Sequence, residues 1–370
     1  MIRSLIILLF FTAPGAALAE VNDASGGNPV LEDAIEREFS IRDLGNLQIT
    51  NLRGNISVSG WAVDRIRVRA KRRASAATEA EARAILKTID FRFRDHDGEL
   101  ELSAEYGQGQ DVGARLRERK NPFSAMDMSV QVPSKLKLRI LAIDGSIDIK
   151  NVVGSVEART SGGSIRAHAI KGSSISLTCP SCQIEASRIE GSLRCMGGSA
   201  QVRVTDAKPG PLYLETAEGD QVVSDIRGEQ LYVMQSGSLL ASRLTGNIVF
   251  HSVSGKVDIQ DSRGTIGGSN DSGVTRIAMR EWDLREEKTL IESKQGDIEI
   301  TTPLTFDANL DLQSITGSVQ VAFKVDTRPV PKIFGPLPAN HVLGQIGEGG
   351  EELRVSTQSG NIRIGRSPVR

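Results

Sequence analysis

Apolar residues recur at every second position in short runs along this chain, and a glycine opens most of the runs. Gly145-Ser-Ile147-Asp-Ile149, Gly246-Asn-Ile248-Val-Phe250 and Gly255-Lys-Val257-Asp-Ile259 share one pattern. It returns in Gly54-Asn-Ile56-Ser-Val58, Gly296-Asp-Ile298-Glu-Ile300, Gly317-Ser-Val319-Gln-Val321 and Gly360-Asn-Ile362-Arg-Ile364. Successive side chains of a strand point to opposite faces, so the second and fourth residues after each glycine share one face, the one expected to be buried. The glycine marks a corner, where a positive φ or a close backbone approach excludes a Cβ.

Glycines 219, 228, 237, 246, 255, 264 and 273 stand nine residues apart, and 145, 154, 163 and 172 keep the same step. A fixed short period signals repeat units that bury their apolar faces only by stacking. The corners alternate in kind. Gly172, Gly228 and Gly246 follow Ile-Lys, Ile-Arg and Leu-Thr, whereas Gly237 and Gly255 follow Gln-Ser and Val-Ser. Like corners therefore recur every eighteen residues, which predicts a flattened coil of two strands. A three-sided coil of twenty-seven would mix the corner kinds and ranks second. The expected fold class is all-β, a β-solenoid.

Other segments frame the repeats. Residues 20–38 read as a polar lead-in, and strand alternation starts near Phe39. The N-terminal strands span 39–135. Thr78–Ile89 predicts the one helix, with a Thr78/Glu81 capping box and an apolar stripe of Ala82, Ile85, Leu86 and Ile89. A hairpin over 90–104 follows, then a polar loop at 107–125. The regular solenoid fills 136–322, a Pro/Gly-rich loop 323–350, and a final coil 351–366. The cluster Arg65, Arg67, Arg69, Lys71, Arg72 and Arg73 falls mostly on alternate residues and reads as the solvated face of a strand.

Composition narrows the function. Lys plus Arg is 45 and Asp plus Glu is 46, a net charge of −1, which gives no bulk reason to bind nucleic acid. Aromatics are 4%, few stacking platforms for sugars or bases. Residues 1–19 read as a secretory signal peptide: Arg3, the apolar Ile6–Phe11, then Ala17-Leu-Ala19, with cleavage between Ala19 and Glu20. No lipobox cysteine follows, and no later stretch reads as a transmembrane span. The expectation is a periplasmic or extracellular protein.

Candidate chemistry is sparse. Cys179-Pro-Ser-Cys182 has the spacing of a thiol–disulfide motif, but it interrupts strands instead of opening a helix. A structural disulfide is expected in an oxidising compartment, between Cys179 and Cys182 or from Cys179 to Cys195 across coils. A zinc site would need a fourth ligand, and His168 shows no ligand spacing. Histidines 96, 168, 251 and 341 are scattered, with His251 expected at a surface or corner. Gly267–Gly273 lacks the repeated core of a calcium-binding nonapeptide. No cofactor or metal is expected. Asp148, Asp258 and Asp297 alternate with apolar residues; their functional reading is the carboxylate row of a polysaccharide-cleaving β-helix.

The order of these parts resembles a bacterial adhesin family of exported repeat proteins, whose toast-rack β-solenoid domain has no assigned function. The resemblance rests on Gly54-Asn-Ile-Ser-Val-Ser-Gly-Trp61, the helix-hairpin insert, Val130-Gln-Val-Pro133, the repeats and Ser359-Gly-Asn-Ile-Arg-Ile364. It covers residues 40–365 and implies an envelope β-solenoid with an adhesin-like or unassigned role and no catalytic set. The expected function is a non-enzymatic binding or scaffolding module of the cell envelope, its partner a protein or glycan. The alternative is a carbohydrate-active lyase or hydrolase.

Overall fold

In the computed structural model, the eighteen-residue coil is visible in the strand register. The described residues are 19–21, 28–40, 44–96, 98–107, 123–133, 135–208, 210–283, 289–327 and 340–367. The leader expected before Ala19, most of the 107–125 loop and the centre of the 323–350 loop lie outside them. The chain forms two compact units, divided between Cys182 and Gln183.

The first unit is built on two ladders of parallel strands. One runs Glu99–Tyr106, Asn46–Arg53, Lys137–Asp144, Val156–Gly162, Ile175–Cys179. The other runs Phe123–Pro133, Ile56–Trp61, Ile147–Val153, Ser164–Lys171. Ile147 pairs with Ile165 and Leu138 with Val156, each a step of eighteen. Two strands per coil follow, as the alternating corners predict. Ile147 and Ile149 are buried, so the strand phase read from the sequence is the observed one.

The second unit repeats the plan. From Ile184–Val202 to Val257–Thr275 the register advances by eighteen or nineteen residues per coil. Ile248, Phe250, Val257, Ile259, Ile298 and Ile300 all point inward and are buried.

The corners preceding Gly154, Gly172, Gly191, Gly210, Gly228, Gly246 and Gly264 hold a feature that glycine counting hid. Asn151, Ala169, Arg188, Asp206, Asp225, Arg243 and Asp261 have φ between 52° and 60°. One such left-handed residue occurs per coil. It interrupts the alternation: Lys150 and Asn151 both face out, and Val152 then returns to the core. The strand bends over the corner at this point. Hence the apolar residue two places before Gly154, Gly172, Gly191, Gly228 and Gly246; buried Ser262 takes that place before Gly264.

Both units depart from simple stacking at their ends. In the first, the coil 46–61 is inserted between 137–153 and the layer of 99–106 and 123–133. In the second, strands Glu352–Ser359 and Ile362–Arg366 lie between 289–302 and 308–321. The coil that is last in sequence is therefore not last in the stack. Antiparallel strands then cover outer edges: Ile89–His96 on Glu99–Tyr106, Arg65–Ser75 on Phe123–Pro133, and Asn340–Ile346 on Ala308–Ser314. A parallel edge left open would invite further strands.

Three boundaries are corrected. Residues 30–38, read as part of the lead-in, form with 39–40 a strand against Arg65–Ser75, because Leu31 and Phe39 are buried and Glu32, Asp33, Glu36 and Glu38 meet its basic side chains. The strand entering the solenoid starts at Phe123, inside the expected 107–125 loop, since its backbone pairs with Ser75. Residues 340–346, read as loop, pair with 308–314. The helix is Glu79–Leu86, with the Thr78/Glu81 capping box in place. It packs on strands 30–40 and 65–75, while Ile89 belongs to the hairpin.

One carboxylate holds the outer strand of the second unit. Asp311 lies 2.8 Å from His341 Nε2 and accepts from Arg354 Nε at 2.9 Å and Gln313 Nε2 at 2.9 Å. Burial pushes its pKa up, but the hydrogen bonds from Gln313, His341 and Arg354 outweigh this and hold the carboxyl below its ordinary value.

Two predictions follow from this geometry. A left-handed conformation costs an ordinary L-residue about 1–2 kcal/mol, a cost glycine escapes at the expense of unfolded-state entropy. Ala169→Gly should therefore raise the melting temperature and Ala169→Val lower it; any other order refutes the strained corner. A carboxyl with a depressed folded pKa stabilises the fold above its unfolded value of about 3.9 and loses that contribution as pH falls through the folded one. Asp311→Asn should accordingly lose less melting temperature than the parent protein on acidification from about pH 6 to about pH 3. Equal losses would show that Asp311 plays no part.

Candidate interaction surface

The second letter of the Gly-[Ser/Asn/Asp]-Ile-x-Ile pattern has a structural task. Its side chain accepts from the backbone N–H of the equivalent residue on the next strand. In the first unit Asp127 Oδ1 accepts from Asn55 N (2.8 Å), Asn55 Oδ1 from Ser146 N (2.9 Å), and Ser146 Oγ from Ser164 N (3.1 Å). In the second, Asp297 Oδ1 accepts from Asn361 N (2.8 Å) and Asn361 Oδ1 from Ser318 N (3.1 Å). These corner ladders fix the register, and so place outward side chains in straight rows.

The rows explain where the candidate acids lie. Asp148 meets Lys150 Nζ at 2.6 Å. Asp297 belongs to the corner ladder above. Asp258 heads a row in register with Arg276, Glu299 and Arg363. Arg276 donates to Glu299 at 2.7 Å, and Arg363 lies 3.3 Å from the same carboxylate. Burial raises the pKa of Asp258, but hydrogen bonds from Lys256 and Gln260 outweigh it and hold the carboxyl low. Asp225 is likewise held low by the paired bonds from Arg243, at 2.8 and 2.7 Å. Signs alternate along the stack. Acids set against bases are ionised and neutralised, a different arrangement from one raised and one free carboxyl flanking a glycosidic bond.

The other candidates are placed as follows. The structure joins Cys179 to Cys182 as a disulfide, with Cα atoms 5.6 Å apart. Cys195 is buried and free, and burial pushes its thiol pKa up, away from a reactive thiolate. Ala19 and Glu20 stand in the short strand Ala19–Val21, paired with Val30–Glu32. His251 is exposed, its Nδ1 3.3 Å from Ser269 Oγ. Arg67 donates to Glu38 at 2.7 Å, Lys71 meets Glu32 at 2.6 Å and Arg73 meets Asp127 at 2.8 Å, so the basic cluster is a cross-strand ion-pair face. Among the described residues no group of His, Cys, Asp and Glu has the arrangement of a metal site.

Two outward surfaces stand out. In the first unit a groove of about 350 Å³ runs across strand starts, lined by Asn46, Glu99, Lys137, Arg139, Glu157 and Ser174 among others. A second hollow of about 450 Å³ shares Asn46 and Glu99 and adds Gln48, Arg94, His96 and Glu101. In the second unit Tyr213, Leu231 and Val249 follow one another in register on successive coils, facing out. The next places are Gly267 and, beside it, Leu290, which is 38% exposed. Arg194 lies over the Tyr213 ring at 4.5 Å, and the Tyr213 hydroxyl donates to Glu215, the bond that chiefly raises its pKa. Only the alternate positions Leu212, Leu214, Ile248 and Phe250 are needed for the core. Sequence reading treated outward positions as polar and missed this row; the signal was three apolar residues at the outward phase, eighteen residues apart.

No curated protein matches this chain by sequence. Among solved structures, a protein described as a cell adhesion protein from Clostridium sporogenes aligns over 91% of this chain and 100% of its own, at 8% identity and a TM-score of 0.19. A Bacteroides fragilis protein described as an adhesin aligns over 90% and 97%, at 12% identity and a TM-score of 0.23. A Parabacteroides distasonis protein described as lipid-binding aligns over 90% and 96%, at 10% identity and a TM-score of 0.34. The Toastrack DUF4097 family profile matches residues 65–365, spanning the helix, the hairpin, the repeats and the closing coil, and the chain belongs to that family.

Proposed function

We propose that this protein is a non-enzymatic, exported binding module of the bacterial cell envelope, an adhesin-like solenoid that presents repeated outward rows to a protein or glycan partner. The observation that carries the reading is the row Tyr213, Leu231, Val249 and Leu290. Leu290 is exposed and the other three are part-exposed, with Gly267 between Val249 and Leu290, and apolar side chains at outward positions that the core does not use mark an interaction surface. In-register stacking repeats such side chains about every 4.8 Å, a rigid array that needs little ordering on contact. The polar groove of the first unit offers amides, hydroxyls and both charge signs.

The test separates fold from contact. Ile248→Asp places an unpaired carboxylate in the core and should cost several kcal/mol, on the order of 3 or more. Val249→Asp and Leu231→Asp face outward and should cost about 1 kcal/mol or less. Immobilised protein carrying Val249→Asp and Leu231→Asp should lose most of the envelope material that the parent retains, at an almost unchanged melting temperature. Arg363→Asp, on the other ladder, should retain it. Undiminished capture by the double variant would overturn the assignment of this row.

A further inference from the structure

An inward column of polar residues runs through the second unit, three places before the glycine of each serine-type or related corner. In register it reads Thr216, Met234, Ser252, Asn270, Ser293, Thr357, Ser314. All are buried, and the six polar members must find partners away from bulk solvent. Three do so on carbonyls of corner glycines. Thr216 Oγ1 donates to the Gly219 carbonyl at 3.2 Å, Thr357 Oγ1 to Gly296 at 3.3 Å and Ser314 Oγ to Gly360 at 2.8 Å.

The three consecutive members between them behave differently. Ser252, Asn270 and Ser293 are 3%, 0% and 6% exposed. Ser252 Oγ, Asn270 Oδ1 and Ser293 Oγ meet no protein partner. The Asn270 amide nitrogen is engaged, by the Gly255 carbonyl at 3.1 Å and Thr275 Oγ1 at 3.2 Å, while its oxygen is left over. A buried polar atom without a partner is costly, and three on adjacent coils form one continuous polar path.

The spacing identifies what fits. Paired strands repeat at about 4.8 Å, and the short side chains of Ser252, Asn270 and Ser293 make no direct hydrogen bond to one another across that spacing. One oxygen atom placed between two layers, with a bond of about 2.8 Å to each, spans about 4.8 Å at an angle near 120°. That is the bonding geometry of water. A cation would meet only neutral oxygens in the column and go without a counter-charge, whereas water needs only polar partners and room.

We propose that Ser252, Asn270 and Ser293 bind an internal file of water molecules, one between each successive pair of coils. The file completes the polar column where Ser252 Oγ, Asn270 Oδ1 and Ser293 Oγ have no protein partner. It makes bound solvent part of the core at the centre of this unit, with the hydroxyls at Thr216, Thr357 and Ser314 closing the column by direct bonds.

A high-resolution crystal structure of the full mature chain tests this directly. The expected result is a solvent peak in the Ser252–Asn270 gap and another in the Asn270–Ser293 gap, each within hydrogen-bond distance of both side chains. Serine hydroxyls rotated onto backbone carbonyls, with no peak between layers, would overturn it. Melting temperatures give an independent reading. Removing a hydroxyl that is truly unpartnered should relieve the fold, raising Tm by about 2 °C or more in Ser252→Ala and Ser293→Ala. A water-bonded hydroxyl gives an unchanged or lower Tm, and a rise in both variants would sink the proposal.

Discussion

The structure depends on backbone stacking on backbone at the corners. A Cβ added at Gly246 would strike the Gly228 carbonyl, and one at Gly255 the Gly237 carbonyl. Such close approach is available only to glycine and brings equivalent corners of adjacent coils into register. Parallel in-register pairing follows over whole strands, and with it the placement of every inward side chain over its counterpart one coil away. Ile147 above Ile165, and Ile248 above Ile266, are results of that constraint.

Polar groups at the corners carry the same periodicity. Asn55, Ser146 and Ser164 each engage the next coil, and Thr160 donates to the Gly145 and Gly162 carbonyls at 2.8 and 2.6 Å. These bonds satisfy backbone groups that a two-strand coil would leave open where the chain reverses. The outer surface inherits the order. Charges alternate along Asp258, Arg276, Glu299 and Arg363, so the rows are locally neutral, consistent with a net charge of −1 for the whole chain. Such a surface favours recognition by position and shape over long-range attraction.

A stack held by periodicity needs something aperiodic at its ends. Here antiparallel strands and a helix take that part. Asn340–Ile346 lies against the last layer of the second unit and is tied down through Asp311. Ile89–His96 and Arg65–Ser75, with the helix Glu79–Leu86, do the same in the first. The inserted coils 46–61 and 352–366 place the ends of the repeat region inside the stack instead of on its open face.

Local pattern was enough to read the repeating part of this protein. Alternation about Ile147, Phe250 and Val257 defined the inward face, the nine-residue glycine step with its two corner kinds defined the coil, and Thr78 with Glu81 defined the helix start. Those signals are short-range, because each coil makes the same contacts as its neighbour. What the alternation could not show is who pairs with whom across long gaps: that 352–366 enters between 289–302 and 308–321, that 340–346 covers an edge, or that 30–40 is a strand. A polar, charged strand such as 30–40 has no distinctive local pattern until the basic strand 65–75 is beside it. The same holds for the Asp311 contacts and the unpartnered atoms of Ser252, Asn270 and Ser293. They exist only once residues eighteen or more apart in sequence are brought one strand spacing apart, so tertiary packing alone decided them.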